Sequence, residues 1–110
     1  MASKGNLGEF EQLVLLAILQ CGHGAFGLEI RRELETRAER TVTRGAFYTT
    51  LDRLEGKGLL RWTEEAPPDG RMSKPLRRYE VTGEGLVALR SALDAVEALR
   101  SGLDRVLGGA

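Results

Sequence analysis

Apolar positions between Val42 and Leu60 (VTRGAFYTTLDRLEGKGLL) fall on a helical stripe, with Phe47, Leu51 and Leu54 at i, i+4 and i+7. That spacing predicts a helix with one narrow buried face. Thr43 stands where its hydroxyl can accept from a free N–H of the first turn. Gly56 and Gly58 stop the helix, and Leu59 and Leu60 open an extended segment. Arg44, Tyr48, Thr49, Asp52 and Arg53 cover the remaining surface. Two guanidinium groups, a phenol and small hydroxyls are what reading a nucleic acid requires, and no bulky aliphatic side chain blocks approach. An ordinary amphipathic helix with a solvated face has the same pattern.

Around this stretch the chain divides readily. From about Leu7 to Cys21 the pattern is helical, with Phe10, Leu13, Val14, Ala17, Ile18 and Cys21 on one face. Leu15, Leu16 and Leu19 occupy another, so the helix is apolar nearly all round, which predicts burial on two sides, the second against another subunit. Gly22, Gly24 and Gly27 break the chain around His23. A second helix follows, with Leu28 or Ile30, Leu34 and Ala38 inward, and Arg40 and Thr41 turn into the helix after Thr43. Beyond that helix, Leu59 to Thr63 and Arg77 to Val81 read as the two strands of a hairpin. Its tip holds Pro67, Pro68 and Asp69-Gly70, which cannot continue a ladder. Thr82 caps a last helix expected to run from Gly83 towards Leu107. Leu86, Leu89, Leu93, Val96, Leu103 and Leu107 form its heptad-like seam, interrupted by Arg100.

Composition narrows the classes. With 110 residues the chain is one domain by size, and 42% hydrophobic against 29% charged residues is globular. Lys plus Arg equals Asp plus Glu at 16 each, which argues against non-specific coating of nucleic acid but not against a local basic surface. The longest apolar run, Leu13 to Leu19, is far short of the roughly 20 residues of a membrane span. No secretory leader precedes it, and the lone Cys21 suits a reducing cytoplasm.

Three helices, a hairpin and a final helix are the order of a winged helix-turn-helix. The expected fold is mainly α with a small β-hairpin, residues 1–82 forming the DNA-binding unit and 83–110 a long C-terminal dimerisation helix. Within this frame the chain resembles the PadR family of transcriptional regulators over roughly Leu13 to Leu86. The pattern Gly-x-x-Tyr-x-x-Leu-x-x-Leu-Glu-x-x-Gly-Leu is matched at Gly45, Tyr48, Leu51, Leu54, Glu55, Gly58 and Leu59. Gly70-Arg71 is similar to the family's wing pair, and Tyr79, Val81, Thr82 and Gly85 to its Tyr-x-Leu-Thr-x-x-Gly close. Leu28 departs from it, standing in Gly27 to Ile30 (GLEI) where a tyrosine is usual.

The resemblance implies a cytoplasmic transcriptional regulator, a repressor, that binds double-stranded operator DNA as a homodimer over paired half-sites. It also leaves room for an unidentified small-molecule effector. The expected DNA contacts are Thr43, Arg44, Gly45, Tyr48, Thr49 and Arg53 on the helix, with Arg71, Lys74 and Arg77 on the wing. The expected dimer surface is Phe10, Leu15, Leu89, Leu93, Val96, Leu103 and Leu107. A winged helix used for protein contact, without DNA, is the alternative. Cys21-x-His23 is too small a donor set for a metal, and the wing acids Glu64, Glu65 and Asp69 lack the fixed, desolvated setting of acid–base catalysts. No nucleophile and base pair up, so neither an enzyme, a metal nor a cofactor is expected. Trp62, on the first wing strand, reads as a cover for the core.

Overall fold

Glu9–Cys21 forms helix α1 of the computed structural model, which describes residues 7–22, 24–66 and 75–108. Gly8 precedes α1, and its N–H is taken by the Glu11 carboxylate, which reaches back 2.9 Å to satisfy a donor the helix leaves open. α1 packs against the second, third and fourth helices and against the second strand of the hairpin. That is why it is apolar nearly all round. The expectation that its second face belongs to another subunit fails for Leu15, which is 0% exposed and lies in the chain's own core beside Val14 and Ile18. Phe10 and Leu16 are half-buried against that core, while Leu19 is exposed.

Helix α2 spans Gly27–Arg37, with Ile30 and Leu34 inward and Leu28 exposed, so Ile30 is the inward residue of the two alternatives. At its end Glu39 takes a left-handed φ of +53°, and the Arg40 N–H bonds back to the Leu34 carbonyl at 3.0 Å. Helix α3 follows at Arg44–Gly56, and the Thr43 hydroxyl accepts from the Ala46 N–H at 3.1 Å as the sequence predicts. Phe47, Leu51 and Leu54 are all buried. Gly58, at φ +78°, then reverses the chain, a turn closed by the Leu59 N–H on the Leu54 carbonyl at 3.0 Å.

The sheet has three strands where two were expected. Strands β1 (Ala25–Phe26), β2 (Leu60–Glu65) and β3 (Leu76–Val81) run antiparallel in the order β1-β3-β2. Ala25 pairs with Tyr79 and Phe26 with Arg78, so the segment between α1 and α2 is tied to the far strand of the hairpin. Two residues carry no periodicity, which is why the sequence pattern passed over β1. The hairpin tip, with Pro67, Pro68, Gly70, Arg71 and Lys74, lies outside the described residues, as does His23.

Helix α4 begins as expected at Gly83, with the Thr82 hydroxyl accepting from the Gly85 N–H at 3.0 Å. Gly85, Ala88 and Leu89 are buried against the core, so Leu89, expected at a partner surface, packs within its own chain. The expected single helix to Leu107 is not formed. α4 ends at Arg100, Ser101 turns extended (ψ 130°), Gly102 takes φ +84°, and a separate short helix α5 spans Asp104–Leu107. The heptad spacing masked this stop, because the apolar stripe resumes at Leu103 after the break. Arg100 binds acids on either side of it, Glu97 at 2.9 Å and Asp104 at 3.3 Å. Leu93, Val96, Leu103 and Leu107 are left exposed on this arm.

Candidate nucleic-acid interface

Alternation along β3 decides which arginines face the helices. Arg77 and Tyr79 share one sheet face with Trp62, the residue paired across from Tyr79. Arg78 and Glu80 take the other. On the first face Trp62 is half-buried against the core, as expected of a cover, and the Arg77 guanidinium lies over its ring, 4.0 Å from the centroid. This stacking holds a long cation in one place at the edge of the sheet. Tyr79 is buried, and burial pushes its phenol above the ordinary tyrosine range, opposed by a hydrogen bond from Arg77.

On the second face Arg78 has a different task. It donates to both Glu65 carboxylate oxygens at 2.7 and 3.0 Å, donates to the Gly24 carbonyl at 3.1 Å and covers the Phe26 ring at 4.4 Å. The hydrogen bond from Arg78 holds the Glu65 carboxyl below the usual range. Arg78 therefore fastens β1 to the hairpin.

A groove of about 940 Å³ opens between the first turns of α2 and α3 and strand β3. Gly27, Leu28, Arg44, Tyr48, Arg77 and Tyr79 are among its lining. The Tyr48 ring stands edge-on to Phe47 at 5.0 Å between centroids, and the Arg44 guanidinium lies 5.6 Å above the Tyr48 ring. The floor is thus aromatic and the rim cationic.

Of the residues expected to meet DNA, Arg44, Gly45, Tyr48 and Arg77 line this groove. Thr43 is exposed but engaged as the α3 cap, and Thr49 and Arg53 are exposed further along α3. Arg71 and Lys74 lie outside the described residues. Sequence reasoning missed Leu28 and Tyr79 as lining residues. Gly27-Leu28 was legible as a helix start, but only the β1–β3 pairing puts that start opposite the hairpin.

Ion pairing separates the arginines further. Arg37, Arg40 and Arg61 are paired with Glu33, Glu9 and Glu80 at 2.7, 2.7 and 2.9 Å. Arg44, Arg53 and Arg77 form no ion pair among the described residues. No group of three or more His, Cys, Asp or Glu among the described residues is placed to hold a metal. A second, apolar groove of about 450 Å³ runs between α1 and α4, with Leu16, Leu19, Leu86 and Leu93 on its walls. Among the described residues no helix is long and apolar enough to cross a membrane.

Two helices joined by a short turn, the second lying beside a β-hairpin, define a winged helix-turn-helix domain. A family model described as the transcriptional regulator PadR-like family matches residues 15–91, and the chain belongs to that family. The resemblance read from the Gly45-to-Leu59 pattern is borne out, and the family is one of regulators rather than enzymes. No curated protein sequence matches the chain.

Among solved structures, RosR of H. salinarum is 27% identical with a TM-score of 0.68, covering 88% of this chain and 80% of its own. A PadR family transcriptional regulator from Eggerthella lenta is 26% identical, also at a TM-score of 0.68, with coverage of 93% and 88%. F93 from STIV, described as a winged-helix DNA-binding protein, is 18% identical at a TM-score of 0.70, covering 88% of this chain and 97% of its own, and shows the fold alone.

Proposed function

We propose that this PadR-like regulator is a cytoplasmic repressor that binds operator DNA as a homodimer, each subunit setting α3 into a major groove of one half-site. The observation that carries the reading is the groove itself, where the guanidiniums of Arg44 at the start of α3 and of Arg77 across from it on β3 form no ion pair among the described residues. Arg53, likewise without an ion pair, is exposed further along α3 on another side of the helix. A guanidinium left without a carboxylate keeps its full charge for a phosphate or its donor fork for a guanine. Residues 1–82 supply the DNA-binding unit and residues 83–110 the dimerisation arm. The arm's exposed Leu93, which lines the α1–α4 groove, and exposed Val96 and Leu103 support self-association, because apolar surface of that kind is rarely left in water. Arg71 and Lys74, outside the described residues, are the further cations the sequence offers for DNA.

The test is selection of fragments of the source genome by the purified protein, followed by mobility shift on the selected fragments and on its own upstream region. Enrichment of a two-fold-symmetric sequence, with binding that weakens steeply in salt, is the expected result. Failure to retain any duplex would transfer the fold to the alternative use, contact with another protein.

A further inference from the structure

Gly27 is the first residue of α2, and its backbone is not in the left-handed region that requires glycine. The reason for the missing side chain lies outside the backbone. A Cβ at this position would fall well inside contact distance of the Tyr48 hydroxyl, and at 3.2 and 3.5 Å from Cζ and Cε1 of the same ring. The backbone fixes the direction of a new methyl, so it can be accommodated only if the Tyr48 ring shifts. The ring it would displace stands edge-on against Phe47 in the core and carries the Arg44 guanidinium on its face. We propose that Gly27 is a positioning residue for sequence reading, acting through Tyr48 on Arg44. The bare backbone of α2 is the seat for the phenol, and the seated ring is the platform that aims the first arginine of the recognition helix. The inference rests on the DNA-reading role given to Arg44, and it adds a residue on a different helix to that role.

The geometry separates this from general packing. The obstacle is one oxygen atom, so Tyr48→Phe removes the worst of the conflict and leaves a contact that a shift of a few tenths of an ångström relieves. Substituting Gly27→Ala should thus be harmful alone and repaired by Tyr48→Phe. A methyl that merely disturbed α2 would not be repaired from α3.

The experiment compares wild type, Gly27→Ala, Tyr48→Ala, Tyr48→Phe and Gly27→Ala with Tyr48→Phe, all checked for folding by circular dichroism. In the free proteins, NMR reads the Arg44 side-chain resonances, which feel the ring current of Tyr48. Gly27→Ala is expected to move them towards their Tyr48→Ala positions, and the double variant to return them. Arg44 resonances unchanged in folded Gly27→Ala would overturn the proposal. So would a shift that Tyr48→Phe does not reverse. On DNA, the ratio of affinities for the selected site and for the site altered at the base that Arg44 reads should fall on the order of tenfold in Gly27→Ala, with an unchanged salt slope. It should recover in the double variant. Intact discrimination in a variant whose Arg44 has moved would also overturn it. A wild type that selects no sequence would defeat the DNA reading, while the NMR comparison still decides whether Gly27 positions Arg44.

Discussion

Lys57, the residue that ends α3, donates to both carboxylate oxygens of Glu11 near the start of α1, at 3.0 and 2.9 Å. The Glu11 side chain is 8% exposed, and the same carboxylate accepts the Gly8 N–H at 2.9 Å. One acid therefore closes the beginning of the first helix and anchors the far end of the recognition helix, 46 residues away in sequence.

Breaking this pair should cost stability before it touches DNA contacts. Lys57→Met is expected to destabilise by about 1–3 kcal/mol. That is below the roughly 3–5 kcal/mol of a fully buried pair, because the Lys57 side chain is 29% exposed. Adding Glu11→Gln should recover part of the loss, since no stranded charge then remains. Urea titration of the single and double variants measures both effects.

Arg44 and Arg53 should fail differently. Arg44→Ala is expected to cost about 1–3 kcal/mol on the selected site and to relax preference at one base, whereas Arg53→Ala should weaken all sequences alike. Tyr48→Phe should cost less than Tyr48→Ala, because the ring that supports Arg44 is kept. Mobility shifts on matched and altered duplexes distinguish the patterns. Equal losses on every duplex would remove base reading from Arg44.

Adjacent arginines on β3 provide a sharper contrast. Arg77, stacked on Trp62, should contribute to the salt dependence, and Arg77→Ala should lower the slope by about one unit. Arg78 is held by Glu65 and the Gly24 carbonyl, so Arg78→Ala should lower the melting temperature and leave the slope nearly unmoved. Slopes measured between low and moderate salt, beside thermal melts, decide it.

Leu93→Glu tests the dimer. Leu93 is 37% exposed, so a charge there is tolerated by a single chain better than at buried Leu89. Covering a leucine is worth about 1.5–3 kcal/mol per subunit, enough for the charge to shift the wild type from dimer to monomer at micromolar concentration. Sedimentation shows the state. A wild type that is already a folded monomer would dismiss both the interface and the paired half-sites.

Tyr79 sets an alkaline limit. Burial raises its phenol above the ordinary value of 10.0, so the folded state holds the proton more tightly than the unfolded one. The associated stability is complete below about pH 10 and is lost as pH rises through the folded-state value. The difference in unfolding free energy between wild type and Tyr79→Phe should therefore be flat to about pH 10 and decline above it.

Legibility in the sequence followed the range of each interaction. Thr43 and Thr82 were readable as caps because each acts on an N–H three residues away. Phe47, Leu51 and Leu54 were readable because one helix fixes their common face. Ala25 and Phe26 were not, since their extended state is imposed by Tyr79 and Arg78, more than fifty residues on. Leu15 was misplaced because an all-apolar helix looks alike whether its second face meets its own chain or another. Gly102 was overlooked as a stop because Leu103 and Leu107 kept the seam's spacing. Arg44, Thr49 and Arg53 were readable as exposed on α3, whereas Tyr48 is half-buried, and the groove that Arg44 and Tyr48 line depends on β1 and so did not show.

The charges of this chain sum to zero, 16 against 16. A polyanion at a distance therefore has no net charge to pull on and acts first through the dipole. What it exerts is a torque, whose axis depends on where opposite charges have already cancelled. Pairing Arg37, Arg40 and Arg61 with carboxylates removes those cations from the far field, while Arg44, Arg53 and Arg77, together with Arg32, Arg90 and Arg105, form no ion pair among the described residues and keep theirs. Such a molecule is turned before it is drawn in, so its ion pairs govern the angle of arrival rather than the strength of the grip.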